Sequence, residues 1–205
     1  MFRITCRDKI QRVIKDNPLG TVCLVKSVDD PPLVSSFPFV FDPRNLDKDI
    51  LISHCRKGDQ LVDMRDARPV TVVFNGADHY ISPQWYKERN LVPTWNYISV
   101  VAKGRISFTD DIDETKKCVD ILTDVYEDKD KREWENLNST ATLDKMIRGI
   151  VGIRIDVELV DAVFKCSQNR SDDSKKSLVE NLNNVNSGKS IAMAEAISCF
   201  VKEKK

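Results

Sequence analysis

Apolar positions recur along this chain at two periods, and the switches between them mark its elements. Ile10, Val13 and Ile14 stand at helical spacing, which predicts a helix over residues 7–16, ended by Asn17-Pro18-Leu19-Gly20. The period then shortens. "TVCLVKS" and "LVSSFPFVFD" read as strands separated by the "VDDPP" turn. Pro38 within the second implies an edge position or a bulge, because proline has no N–H for a ladder. "ILISHC" predicts a third strand, and "QLVDMRDA" a short helix with Leu61 and Met64 facing inward. "PVTVVFNG" predicts a buried strand, followed by a long loop, "ADHYISPQWYKERNLVPT". Residues 96–108 alternate, with Ile98, Val100, Ala102, Gly104, Ile106 and Phe108 on one face.

The strongest helical pattern covers 111–127, with a stripe of Cys118, Ile121, Leu122 and Val125 and a cap at Thr109 or Asp110. "EDKDKREWENLN" is a polar connection and "TLDKMIRG" a short helix. Val151, Ile153, Ile155, Val157 and Leu159 then alternate as a long half-exposed strand. A helix runs from Ser171 to about Leu182, "NNVNSG" breaks it, and a last helix presents Ile191, Ala194, Ile197 and Phe200. Five or six strands with few helices predict a mainly β chain with helices, a small antiparallel barrel with helices at its rim. The barrel domain is expected over residues 1–185, with a helical extension over 186–205.

Composition narrows the functional classes. The 205 residues carry 32 basic and 32 acidic side chains, a balance that argues against DNA as the main partner. No apolar run approaches the roughly 20 residues of a membrane span. The first residues carry charges throughout, unlike a secretory signal. The six cysteines are scattered without metal-ligand spacing. Together these features imply a cytoplasmic protein with free thiols, no membrane partner and no metal.

Three stretches could carry chemistry. In "SHCRKGDQL", Arg56 and Lys57 follow a strand, precede a predicted helix and adjoin Gly58. Two cations beside the amides of a helix N-terminus would cradle an anion, although an Arg-Lys pair on a solvated turn reads the same way. Trp85, Tyr86, Trp95 and Tyr97 could wall a flat ring, with Gln84 and Asn96 supplying amides; packing or a subunit interface explains them equally. "KCSQNRS" gathers groups that could bind a heterocycle edge or a phosphate, or that could cap a helix at Ser171. There is no nucleotide-binding glycine motif and no nucleophile elbow.

"HYISPQWY", "VPTWNYISVVAKG", "MIRGIVGIRI" and "FKCSQNRS" stand in the order and approximate spacing of the PaiB-type FMN-binding domain family, and "NPLGTVCLV" and "SSFPFVF" fit its first part. The chain resembles that family over residues 7–183. The family is in turn similar to the FMN-binding split barrels typified by pyridoxamine 5'-phosphate oxidase. The resemblance implies an antiparallel, Greek-key-like split barrel with peripheral helices. It implies FMN as cofactor, with Arg56 and Lys57 on the phosphate, and a homodimer that closes each site. Ser35, Ser36, Phe37 and His54 are then expected near the flavin, with Trp95, Asn96, Tyr97, Gln168, Asn169 and Arg170 from later strands. Three positions depart from the family pattern. Ser36 stands where histidine is common, the proline usual near Asp59-Gln60 is missing, and Ala162-Val163 replaces Gly-Lys.

The function implied is an FMN-binding protein, as an oxidoreductase of undefined substrate. One alternative is a transcriptional regulator or sensor, with direct DNA contact weakly supported because no recognition helix is evident. The other is a cofactor-free remnant that binds a different small anionic ligand or a protein partner. No side chain declares itself catalytic.

Overall fold

Apolar alternation becomes strand, and short polar turns join the strands, through most of this chain. The computed structural model describes residues 2–27, 29–64, 68–128, 131–132 and 140–202. Its strands are β1 (Arg3–Ile4), β2 (Leu19–Leu24), β3 (Leu33–Pro38), β4 (Val40–Phe41), β5 (Ile50–Arg56), β6 (Arg68–Ile81), β7 (Thr94–Thr109) and β8 (Ile150–Lys165). The α-helices are α1 (Arg7–Asp16), α2 (Ile112–Tyr126), α3 (Thr140–Arg148), α4 (Asp172–Val185) and α5 (Gly188–Lys202). The strands pair in the order β3-β2-β6-β7-β8-β5-β4, with β1 on β8. Every pairing with a defined register is antiparallel. Pro38 ends β3, which stands last in that order, so its missing N–H breaks no ladder.

The chain forms two compact units, residues 14–74 with 101–160 and residues 1–13 with 75–100 and 161–205. In the first, Val22, Leu24, Phe39, Leu51, Phe74 and Ile106 are fully buried. Phe39 meets Phe74 edge-on at 6.0 Å. Val40, Ile50 and Ile52 pack with Cys118 and Leu122 of α2. In the second unit α5 packs on α4. Leu178 and Leu182 of α4 and Met193, Ala194 and Ile197 of α5 are buried. No helix among the described residues is long and apolar enough to cross a membrane.

Several sequence expectations change. Residues 57–64 form consecutive turns, not a helix. The Asp59 carboxylate takes the Leu61 N–H at 3.0 Å, and the backbone bonds run three residues back, from Asp59 to Arg56 and from Val62 to Asp59. The end of "QLVDMRDA", residues 65–67, lies outside the described residues. The segment 77–81, expected as loop, continues β6. Asp111 caps α2 through its bond from the Glu114 N–H at 2.8 Å, while Thr109 accepts the Asp111 N–H instead. Val125 lies exposed, and the buried stripe of α2 is Thr115, Cys118 and Leu122.

In β8 the buried face changes phase, from Val151, Ile153 and Ile155 to Ala162 and Phe164, and this leaves Leu159 57% exposed. Ile191 faces solvent while Met193 faces inward; Phe200 lies beyond the residues whose side chains are described. Of "EDKDKREWENLN" only residues 127–128 and 131–132 are described.

Candidate functional site

The candidate residues fall into two groups, one in each unit. In the first, β5 delivers Arg56 to its end, and Lys57 and Gly58 enter the turn beyond it. All three are exposed. A Cβ on Gly58 would meet nothing within 4 Å. Among the described residues, neither the Arg56 guanidinium nor the Lys57 ammonium pairs with a carboxylate. The backbone beneath them is fixed. Lys57 N–H donates to Gly149 O at 3.0 Å, and Asp59 N–H donates to Arg56 O at 3.0 Å. Since no helix starts here, any amides offered to an anion belong to a turn.

β3 is tied to this turn. Ser35 Oγ donates to Asp59 Oδ1 at 3.4 Å, and Gln60 Nε2 donates to Val34 O at 3.1 Å. Ser36 is exposed and pairs opposite Thr21, while Phe37 is buried opposite Gly20. His54 pairs opposite Gly152, and its Nδ1 is buried with no hydrogen-bond partner. Burial holds the imidazole below its ordinary pKa of 6.5 and keeps it neutral near pH 7. Cys55 is pushed up to about 12 by burial and then by the Asp59 charge, so its thiol stays protonated.

The second group sits at the mouth of β7. Trp95 and Tyr97 are exposed, 53% and 39%, and Tyr80 meets Trp95 edge-on at 6.3 Å. Asn96 points the other way and is buried. Its Nδ2 donates to Ser167 Oγ at 2.9 Å, and Tyr86 Oη lies 2.8 Å from the same hydroxyl. Ser167 holds φ 57°, a left-handed conformation that a non-glycine residue adopts at a cost. Gln168 bonds its own strand end, accepting from Cys166 N–H at 2.8 Å and donating to Phe164 O. Arg170 pairs with Glu88 at 3.1 Å and lies over the Tyr86 ring. Glu88 also accepts the Ser171 N–H at 3.0 Å, the largest of the bonds that hold its carboxyl below the usual range. Asn169 is exposed. Asn96, Gln168 and Arg170 thus have protein partners, whereas Trp95, Tyr97 and Asn169 present open faces.

Sequence reasoning passes over Tyr86 as a buried hydroxyl partner, and over Ser167 and Glu88 as fasteners. Ser167 and Asn96 are 71 positions apart, and no local pattern announces their bond. For Asp59 a signal exists: an Asp two residues before an amide inside a Gly-containing turn favours side-chain capping of that turn.

The chain matches the family described as "Putative FMN-binding domain" over residues 1–159. It is 31% identical over 205 residues to the "Protease synthase and sporulation protein PAI 2" of Bacillus subtilis strain 168, covering 98% of this chain and 96% of that protein. An uncharacterized protein of Saccharomyces cerevisiae is 36% identical over 151 residues, covering 62% of this chain and 88% of its own length. Among solved structures, the FAD and heme binding protein from Mycobacterium smegmatis superposes with a TM-score of 0.60 at 18% identity, over 88% of this chain and 80% of that one. The flavocytochrome Anf3 from Azotobacter vinelandii gives a TM-score of 0.60 at 16% identity, over 80% and 69%. At these identities the structural likeness concerns the fold, which is the expected FMN-binding split barrel.

Proposed function

This chain belongs to the PaiB-type FMN-binding domain family, and from that premise we propose that it binds FMN through Arg56 and Lys57 at the phosphate. One observation carries the reading: two exposed cations, without carboxylate partners among the described residues, directly precede a glycine whose surroundings are open. An unpaired guanidinium and ammonium suit a phosphate dianion, the first by paired N–H donors and the second as a point charge.

The remaining residues fit the same ligand. As the last strand in the sheet order, β3 keeps one edge of backbone groups for a flat heterocycle at Ser35, Ser36 and Phe37. His54 brings a neutral ring with an unclaimed buried Nδ1, two residues before Arg56 on the same face of β5. Trp95, Tyr97 and Asn169 belong to the other unit and, in this reading, reach the flavin from a second copy of the chain. Asn96, Gln168 and Arg170 hold the strand mouth and the 166–171 turn in place around them. Bound FMN supplies hydride or single-electron chemistry; the chain binds and orients it.

The chain acts as a homodimer in this reading, with Trp95 and Tyr97 covered by a partner subunit. An FMN-dependent oxidoreductase is the activity that follows. A sensor that signals flavin occupancy is the second reading, favoured by the near-full-length likeness to a relative named for sporulation.

The test is FMN fluorescence quenching with Arg56→Ala and Lys57→Ala. Each substitution is expected to weaken binding at least about tenfold, the scale of one charged hydrogen bond. Unchanged affinity in both variants would remove the phosphate from this turn. A ligand other than FMN that raises the melting temperature, with no FMN effect, would favour the cofactor-free alternative.

A further inference from the structure

We propose that Asp59 is the positioning residue of the phosphate turn, fixing where Arg56 and Lys57 present their charges without itself touching the ligand. This rests on the flavin reading above.

Asp59 is a hub of short-range bonds. Its N–H donates to Arg56 O at 3.0 Å, and its carbonyl accepts the Val62 N–H at 3.0 Å. Its Oδ1 accepts the Leu61 N–H at 3.0 Å and the Ser35 hydroxyl at 3.4 Å. The next residue, Gln60, bonds Val34 O, and Lys57 N–H bonds Gly149 O. The backbone that carries the two cations is therefore bound to β3 on one side and to the residue before β8 on the other. The side chains above it stay free. An Asp side chain is the right length to reach the amide two residues on; a longer acid overshoots it.

The charge of Asp59 works against the ligand. It cancels one of the two positive charges at a site expected to hold a phosphate, and like charges a few ångströms apart repel. Its geometry therefore helps binding and its charge opposes binding. This separates Asp59 from Arg56 and Lys57, for which charge and contact act together, and it makes the two halves of the role separable by substitution. Asp59→Asn keeps an oxygen for Leu61 and Ser35 and removes the charge. Asp59→Ala removes both.

The experiment titrates wild type, Asp59→Asn and Asp59→Ala with FMN and with riboflavin, which lacks the phosphate, by flavin fluorescence. Wild type is expected to prefer FMN. Asp59→Asn is expected to bind FMN as tightly as wild type or up to about tenfold tighter, because one opposing surface charge is gone. Asp59→Ala is expected to bind FMN about tenfold more weakly, as the turn loses its fastening. Riboflavin affinity is expected to stay within about twofold in both variants, since the ring would meet the β3 backbone, which stays paired with β2 at Ser35–Val22 when the Ser35 hydroxyl loses its bond.

Equal losses for FMN and riboflavin would mean general loosening and would overturn the positioning role alone. So would weaker FMN binding by Asp59→Asn, which decides the matter even where Asp59→Ala fails to fold. Wild type that binds neither flavin overturns the flavin reading, and this inference with it.

Discussion

The Asp42 carboxylate has no exposed surface, yet it stays ionised because its neighbours satisfy it. Arg44 grips it with Nε at 2.8 Å and Nη2 at 2.9 Å, while the Arg44 N–H and Asn45 Nδ2 add bonds at 3.0 and 2.9 Å. Arg44 also reaches Glu114 on α2 at 2.7 Å, which ties that helix to the turn before β5. Burial pushes the Asp42 pKa up, but the bonds from Arg44 outweigh it and the net shift is below 3.8. The stability this provides is present above pH 3.8 and is lost as the pH falls through the lower folded value. Removing the arginine side chain leaves a buried carboxylate with the backbone N–H of residue 44, Asn45 and the distant Arg154. Arg44→Ala is therefore expected to cost about 3 kcal/mol in urea unfolding at pH 7. It is also expected to flatten the acid limb of the stability curve. A loss under about 0.5 kcal/mol would place this network among ordinary surface pairs.

Strands and helices are where the sequence spoke most clearly, and where its silences are most instructive. The α1 helix, β2, β5 and the start of β7 follow from periodicity, because one wet and one dry face leave a strong imprint on each. The end of β6 was hidden since residues 76–80 do not alternate and read as polar loop. The 57–64 turns were hidden since Leu61, Val62 and Met64 are apolar at helical spacing, while the bonds that hold the turns, from Leu61 N–H to Asp59, Gln60 to Val34 O and Lys57 N–H to Gly149 O, leave no periodic trace. The site shows the same division. Arg56, Lys57 and Gly58 stand out in the sequence as a candidate anion cradle, whereas the Asn96–Ser167–Tyr86 cluster joins three distant segments and left no local trace.

Gly104 tests the element scale directly. It lies on the buried face of β7, and a Cβ there would stand 2.0 Å from Asp156 O of β8. A backbone oxygen cannot retreat as a side chain can. Gly104→Ala is expected to separate the two strands locally and to lower the melting temperature by about 4–12 °C, on the order of a 2–3 kcal/mol loss. A variant with wild-type thermal stability would show that the β7–β8 spacing adjusts freely.

The molecule as a whole combines a split-barrel fold, a cation pair without carboxylate partners among the described residues, and an exposed aromatic face. Trp95 and Tyr97 would be a liability on a monomer's surface, as exposed aromatic patches favour association. Sedimentation at micromolar concentration is expected to give a dimer, and Trp95→Ala with Tyr97→Ala to shift it toward monomer. A wild-type monomer would leave those rings for another partner. The central claim is that one chain holds one FMN. The most direct test is the visible absorption spectrum of the purified protein before and after FMN addition. A band at ~450 nm is expected that saturates at one flavin per chain and survives gel filtration. A colourless protein that neither retains FMN nor quenches its fluorescence would contradict it.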